Sequence, residues 1–227
     1  MTSADRGLSA MLALLVILIF VVQPLGEIGV AGRAVTTLVF SAVLISSVWA
    51  VAGTRRPAIV VGAVVTVALL VRWLRLWLGS GSLVFPSALV SLVFCVVVAL
   101  VVLAQVFRAG RVTLHHVQGA VAAYLLLGMA WAFAYELVVF EWPAAFAMPA
   151  VDATTSRELV SHFVYFSFVT LTTVGYGDVT AIHPFARSLV TIEALVGQLF
   201  PAILLARLVS MELLHRGDAA VKEESRV

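Results

Sequence analysis

The residues with the clearest chemical potential form one short segment, Thr170–Asp178, which reads TLTTVGYGD. Glycine lacks a Cβ, so Gly175 and Gly177 can adopt positive φ angles between neighbours of ordinary handedness. A backbone that alternates in this way turns successive carbonyl oxygens toward a common axis. Carbonyl oxygens in such an arrangement can take the place of water around a cation. The segment is therefore a candidate for binding through backbone oxygens rather than through side chains.

The elements around this segment must position it within a membrane. Of the 227 residues, 63% are hydrophobic and 11% are charged, against roughly 25% charged in a soluble domain. A bilayer core about 30 Å thick is crossed by about 20 apolar helical residues. The sequence predicts an all-α membrane protein with six transmembrane helices. The six apolar runs span residues 8–25, 34–52, 57–78, 83–107, 117–140 and 185–215.

A shorter helix is predicted immediately before the glycine-containing segment. Residues 158–171 form an apolar, aromatic-rich stretch of about 14 residues, which is too short to cross a bilayer and is predicted to be re-entrant. Irregular backbone at membrane depth is tolerated only where it is buried in protein or lines a water-filled path. The segment Thr170–Asp178 is expected to line such a path between the fifth and sixth helices.

This pattern resembles the signature of tetrameric potassium channels, over roughly residues 117–215 and most strongly over 161–178. The resemblance implies a homotetramer, because one loop per chain cannot surround an axis. It also implies that potassium ions bind to the filter and that no other cofactor is needed. The filter residues implied in ion binding are Thr173, Val174, Gly175, Tyr176 and Gly177, with K⁺ held at the first four.

Further site residues follow from the same resemblance. Thr172 and Asp178 are expected to support the filter, together with Tyr165, which stands where many relatives carry tryptophan. Gly197 and Pro201 in the last helix are candidates for a gating hinge, although close helix packing explains a membrane glycine equally well.

Polar residues inside a membrane are costly and therefore count as functional candidates. Glu193 shares a helical face with the two candidate hinge residues and is a possible modulator of the filter, the alternative being a protonated packing residue. Glu136 and Glu141 are expected to face water or the outer vestibule. His115 and His116 are expected in a solvated linker, where a pH-sensing role stays open.

The first four helices lack the charges of a voltage sensor. The fourth run contains no charged residue, so voltage gating by that route is not expected. The predicted domains are a four-helix membrane domain at 1–110 that resembles a voltage-sensor bundle without gating charges, a pore domain at 111–216, and a short cytoplasmic tail at 217–227.

The positions of Lys and Arg predict the orientation. With the amino terminus inside, nine of these residues face the cytoplasm and five face outward. The chain is therefore expected in the cell membrane, in contact with lipid and with both termini cytoplasmic. Its thirteen arginines and one lysine indicate a GC-rich bacterial genome.

Alternative functions stay open. No basic patch is large enough to bind nucleic acid, and no clustered side chains indicate an enzyme. Besides a passive channel for K⁺, the sequence is compatible with the membrane subunit of a potassium uptake transporter, or with a non-conducting regulatory subunit. A separate regulatory subunit of unknown type could act on the channel.

Overall fold

The computed structural model describes residues 3–28, 32–51, 55–79, 81–107, 113–148 and 156–224. These residues are predominantly helical and include six helical stretches that are long and apolar enough to cross a membrane. The prediction of a helical membrane protein is confirmed. The predicted boundary at residues 110 and 111 lies outside the described residues.

The first apolar run is a helix interrupted by a wider turn. Helix α1 (Ser3–Ile17) continues through a π-helical turn (Leu18–Val22) into α2 (Gln23–Ile28). Pro24 has no N–H to donate and its ring would crowd the carbonyl four residues earlier, so a π turn at this point relieves the clash. The sequence predicted an uninterrupted run here. Helix α3 (Gly32–Val51) then packs against α1.

The third and fourth runs form the expected helical hairpin. Helix α4 (Arg55–Leu78) ends at Gly79, whose φ of +59° is accessible to glycine without strain. A 3₁₀ turn (Gly81–Leu83) leads into α5 (Val84–Val106), which packs against α4 and, most extensively, against the next helix. The peripheral helices, α1–α5, contact the remainder of their own chain mainly through α5 and α1, which pack against that next helix, and through α2, which contacts the helix at Ser156–Leu171.

Helix α6 (Leu114–Glu141) begins earlier than predicted. Thr113 and His116 form a capping box at its start, in which the side chain of His116 accepts from the backbone N–H of Thr113 at 3.3 Å. The expectation that His115 and His116 lie in a linker is therefore wrong, since both belong to the first turn of α6. The N-terminal N–H groups of the helix need partners, and His116 supports the capping residue that supplies one.

The part of the chain that contains the glycine-containing segment follows α6. It consists of α7 (Ser156–Leu171), the glycine-containing segment and α8 (Pro184–Glu224). The chain before α7 and the chain after the segment pair as a short antiparallel ribbon of β1 (Phe146–Ala147) and β2 (Thr180–Ala181). The all-α prediction missed this ribbon, which satisfies backbone groups of two irregular stretches at the same end of the molecule. The predicted tail at 217–227 is helical as far as Glu224.

Candidate functional site

Helix α7 ends directly at the glycine-containing segment, and its last turn is capped by the residues that follow. The backbone N–H of Thr172 donates to the carbonyl of Phe168 at 3.0 Å, and the Thr172 hydroxyl donates to the same carbonyl at 2.6 Å. The N–H of Thr173 donates to the carbonyl of Thr170 at 2.9 Å. These bonds satisfy carbonyls that a helix end leaves without partners. Thr172 thus supports the start of the segment.

The backbone of residues 173–177 alternates in handedness. Thr173, Gly175 and Gly177 have φ angles of 62°, 58° and 80°, whereas Val174 and Tyr176 between them stay at negative φ. The sequence predicted positive angles at the two glycines. It gave no such signal for Thr173, a β-branched residue for which this conformation is uncommon. A strained backbone at such a residue is typical of a functional site.

The amides of residues 172–175 are bound to carbonyls of α7, and the carbonyl oxygens of residues 172–177 are left free. The N–H groups of Val174 and Gly175 both donate to the carbonyl of Val169, at 2.9 and 3.2 Å. Within the described part of the chain, no hydrogen bond is accepted by a carbonyl of residues 172–177. Residues 172–178 are exposed, with Val174 at 52% and Tyr176 at 71%. Free oxygens with fixed backbone geometry can coordinate a dehydrated cation.

Asp178 ends the segment and is fixed by two donors. The hydroxyl of Tyr165 on α7 donates to Asp178 Oδ2 at 2.8 Å, and the N–H of Val179 donates to Oδ1 at 3.1 Å. The bond to Asp178 raises the pKa of the Tyr165 phenol, because the neutral phenol is the donor that the carboxylate favours. Tyr165 therefore ties the outer end of the segment to the middle of α7.

A buried polar cluster lies behind α7. Glu193 on α8 is completely buried; it accepts a hydrogen bond from Tyr135 on α6, and its Oε1 lies within hydrogen-bond distance of Ser167 Oγ on α7. Ser167 Oγ also lies 2.8 Å from the carbonyl of Gly128. The sequence identified Glu193 but not its partners, because no local pattern links residues that are 58 and 26 positions away. The only available signal was the polarity of Ser167 within an apolar helix.

The candidate hinge residues lie beside the start of the segment. Gly197 packs against the backbone of Leu171 so closely that a Cβ at this position would overlap the Leu171 carbonyl. Helix α8 passes through Gly197 and Pro201 without interruption. A concavity of about 460 Å³ lies between this part of α8, Tyr124 of α6, and Thr172 and Thr173 at the inner end of the segment.

Glu136 does not lie where the sequence placed it. Its side chain is 5% exposed and interacts electrostatically with Arg75 and Arg72 of α4, so the expectation that it faces water or a vestibule is wrong. The guanidinium of Arg72 lies over the ring of Phe40, 4.1 Å from its centre. Both charges are covered because the peripheral helices pack against α6. Glu141, in contrast, is exposed as expected.

Side chains in the part of the chain that the structure describes do not form a metal site. No group of three or more His, Cys, Asp or Glu side chains there is arranged to hold a metal ion. Helix α5 also carries no charged residue.

Comparisons with known proteins agree with this geometry. A family model described as an ion channel matches residues 124–212, from the middle of α6 through α7 and the segment into α8. Protein LctB of Bacillus caldotenax is 34% identical over 100 residues, which cover 44% of this chain and 74% of that protein. No solved structure matches the chain significantly. The chain belongs to the ion channel family.

Proposed function

We propose that the protein is a homotetrameric, potassium-selective channel that passes K⁺ passively down its gradient. The observation that carries the proposal is the alternating backbone of Thr173, Gly175 and Gly177, whose neighbouring amides are bound to α7 while the carbonyls stay free. The match to the ion channel family supports ion conduction. The motif TVGYGD, which resembles the potassium-channel signature, supports selectivity for K⁺.

The exposure of the segment supports the tetramer. Free backbone carbonyls cannot face lipid, because each unsatisfied group costs several kcal/mol in hydrocarbon, on the order of 2–7 by transfer measurements. Other copies of the chain and the permeating ion would supply the missing partners. Helix α8 supports the same arrangement, since 11% of its apolar span is buried within one chain against 61% for α6.

In this proposal K⁺ is the transported substrate, and it binds to carbonyl oxygens of Thr173, Val174, Gly175 and Tyr176 in turn. The Gly177 carbonyl lies next along the path. The carboxyl end of α7 points toward the inner end of the segment, where its partial negative charge would favour a cation. Tyr165, Thr172 and Asp178 hold the filter in shape.

Gating is proposed to occur without a charged fourth helix. Because α5 has no Lys, Arg, Asp or Glu, the membrane potential exerts little force on it. Bending of α8 at Gly197 and Pro201 would open the inner end of the path. We place both termini in the cytoplasm and the ribbon of β1 and β2 at the outer face of the cell membrane, following the distribution of Lys and Arg.

The proposal is tested with purified protein in liposomes, by measuring K⁺ and Na⁺ flux and block by Ba²⁺. K⁺ flux should greatly exceed Na⁺ flux, be blocked by Ba²⁺, and vary little with voltage. Equal fluxes of the two ions would refute selectivity. Native mass spectrometry should show four chains per particle, and a monomeric particle would refute the assembly.

A pair of glycine variants tests whether the filter backbone conducts. Gly175 and Gly79 have nearly the same φ, 58° and 59°, and an added Cβ would meet nothing within 4 Å at either position. An alanine in this conformation costs about 1–2 kcal/mol. Gly175→Ala should abolish most K⁺ flux, whereas Gly79→Ala should lower stability by a similar amount and leave selectivity unchanged. Equal flux in the two variants would contradict the proposed filter.

A further inference from the structure

Glu193 occupies the place where three helices meet behind the filter segment. It extends from α8, its side chain is completely buried, and its two carboxyl oxygens contact different helices. Oε2 accepts from the hydroxyl of Tyr135 on α6, and Oε1 contacts Ser167 Oγ on α7. Ser167 lies in the same helix whose end binds the filter amides. Any change at Glu193 therefore reaches α7 directly.

The hydrogen atoms in this cluster can be counted. Ser167 has a single hydroxyl hydrogen, yet its Oγ has two oxygen neighbours, the Gly128 carbonyl at 2.8 Å and Oε1 of Glu193. A carbonyl has no hydrogen to give, so the contact with Gly128 uses the serine hydrogen. The contact with Glu193 then requires a hydrogen on the carboxyl group. An ionised carboxylate would leave one of these two oxygen pairs without any hydrogen between them.

The electrostatic surroundings lead to the same assignment. In the described part of the chain, the titratable groups that face Glu193 are Tyr135 and Tyr124, both from α6, and Ser167 is its polar contact from α7. Among the described residues, no Lys or Arg interacts with this carboxyl group. A buried carboxylate without a cation is strongly disfavoured, and in practice the group takes up a proton.

We propose that Glu193 is a neutral positioning residue, whose carboxyl proton is donated to Ser167 Oγ so that a continuous hydrogen-bond chain fixes α7 behind the filter. The chain runs from Glu193 to Ser167 and on to the Gly128 carbonyl, while Tyr135 donates to the other carboxyl oxygen. The proposal rests on the proposed function, because the position of α7 matters for conduction only if the segment after it conducts.

This arrangement predicts that K⁺ flux depends on pH. When the pH rises far enough to ionise Glu193, the hydrogen between it and Ser167 is lost and an uncompensated negative charge remains behind the filter. The conducting position of α7 should then become less populated. K⁺ flux should fall at alkaline pH, and the fall should disappear in a variant that cannot ionise.

Glu193→Gln provides that variant. The glutamine amide can donate to Ser167 Oγ and its carbonyl can accept from Tyr135, so it reproduces the neutral hydrogen-bond chain. Its K⁺ flux at neutral pH should stay within about twofold of the wild type. Glu193→Ala removes the donor to Ser167 Oγ and the acceptor of the Tyr135 hydroxyl, and it should lose about tenfold or more of the flux. Alkaline pH should reduce flux in the wild type and not in Glu193→Gln.

Infrared spectroscopy tests the proton itself, whether or not the protein conducts. The wild type should show the C=O stretch of a neutral carboxylic acid, and the difference spectrum against Glu193→Gln should contain that band. The matched control Glu141→Gln, which changes an exposed acid, should give no such difference. A missing band, or a Glu193→Gln variant as inactive as Glu193→Ala, would overturn the proposal. If the band is present but the wild type does not select K⁺, the proposed function fails and the proton assignment stands.

Discussion

Gly197 of α8 lies directly against the carbonyl of Leu171, the last residue of α7. This contact joins α8 to the start of the glycine-containing segment without any intervening side chain. The close approach is possible only because Gly197 has no Cβ. Gly197 is therefore a packing residue between α8 and the end of α7.

Replacing Gly197 by alanine should damage both stability and conduction. The added Cβ would overlap the Leu171 carbonyl, so α7 or α8 must move, and overpacking of this kind costs about 1–3 kcal/mol. We expect a lower thermal unfolding temperature in detergent and a loss of K⁺ selectivity in liposomes.

Gly62→Ala is the matched control for this prediction. Gly62 lies within α4, and a Cβ there would meet nothing within 4 Å. Alanine also has the higher helix propensity, so this variant should be as stable as the wild type or slightly more so. A Gly197→Ala variant that behaved like Gly62→Ala would show that the two helices separate easily at this point.

Removal of the Tyr165 hydroxyl should weaken the outer end of the filter. Tyr165→Phe leaves Asp178 with only the N–H of Val179 as donor. We expect the K⁺ current of Tyr165→Phe to decline faster during sustained opening. Tyr165→Trp keeps a ring N–H as a donor, so its current should last nearly as long as that of the wild type. Single-channel or macroscopic recordings measure this decline. Identical time courses for the Phe and Trp variants would argue against a role for the hydrogen bond.

The same bond predicts how the outer end responds to pH. The bond to Asp178 raises the pKa of Tyr165 above that of a free phenol, about 10. The phenol therefore remains a donor below this value and loses its hydrogen only as the pH rises through its higher pKa. In the Glu193→Gln background, the rate of current decline should be constant between neutral pH and about pH 9. A marked acceleration within this range would contradict the assignment.

Much of the fold follows from the sequence because lipid imposes simple rules on it. Apolar length identified the helices and the shorter α7, and the glycine spacing identified two of the three positive φ angles within residues 173–177. Thr173 escaped prediction because its conformation is imposed by the hydrogen bonds of its neighbours to α7 and not by its own preference. The interruption of the first helix at Leu18–Val22 could have been predicted from Pro24, which cannot continue a regular α-helical hydrogen-bond pattern.

The features that the sequence did not predict depend on contacts between distant elements. Glu193 was recognisable as a polar residue in an apolar helix, but Tyr135 and Ser167 become its partners only through the packing of α6, α7 and α8. Glu136 was expected in contact with water because it lies near a helix end. The packing of α5 against α6, and of α4 against α5, covers it, and no periodicity within α6 encodes that contact.

The charges of α4 should be energetically coupled to Glu136. Arg72 Nε and Glu136 Oε1 are both buried and neither has a hydrogen-bond partner, while the two groups interact electrostatically. Arg72→Leu and Glu136→Leu each leave the opposite charge less compensated, so the double variant should be more stable than the sum of the single effects predicts. Thermal unfolding of the four proteins should give a coupling free energy of about 0.5–3 kcal/mol.

A second double-mutant cycle, of Arg72 with Glu141, provides the control for this coupling. Glu141 is exposed near the end of the same helix, and its replacement by leucine should combine additively with Arg72→Leu. Additive behaviour in both cycles would mean that Arg72 is held by the ring of Phe40 alone and that the peripheral helices do not interact electrostatically with α6.

Tyr124→Phe should weaken the inner end of the filter without disturbing its packing. The Tyr124 hydroxyl donates to the carbonyl of Leu171 at 3.1 Å, and its ring packs against Phe200 with centroids 5.4 Å apart. Phenylalanine keeps the ring contact and removes the donor, at a cost of about 1 kcal/mol. We expect the unfolding temperature to fall by about 2–4 °C and K⁺ flux to decrease. Tyr124→Leu, which also removes the aromatic contact, should cost more stability than Tyr124→Phe, and equal losses would show that the hydroxyl carries the whole contribution of this side chain.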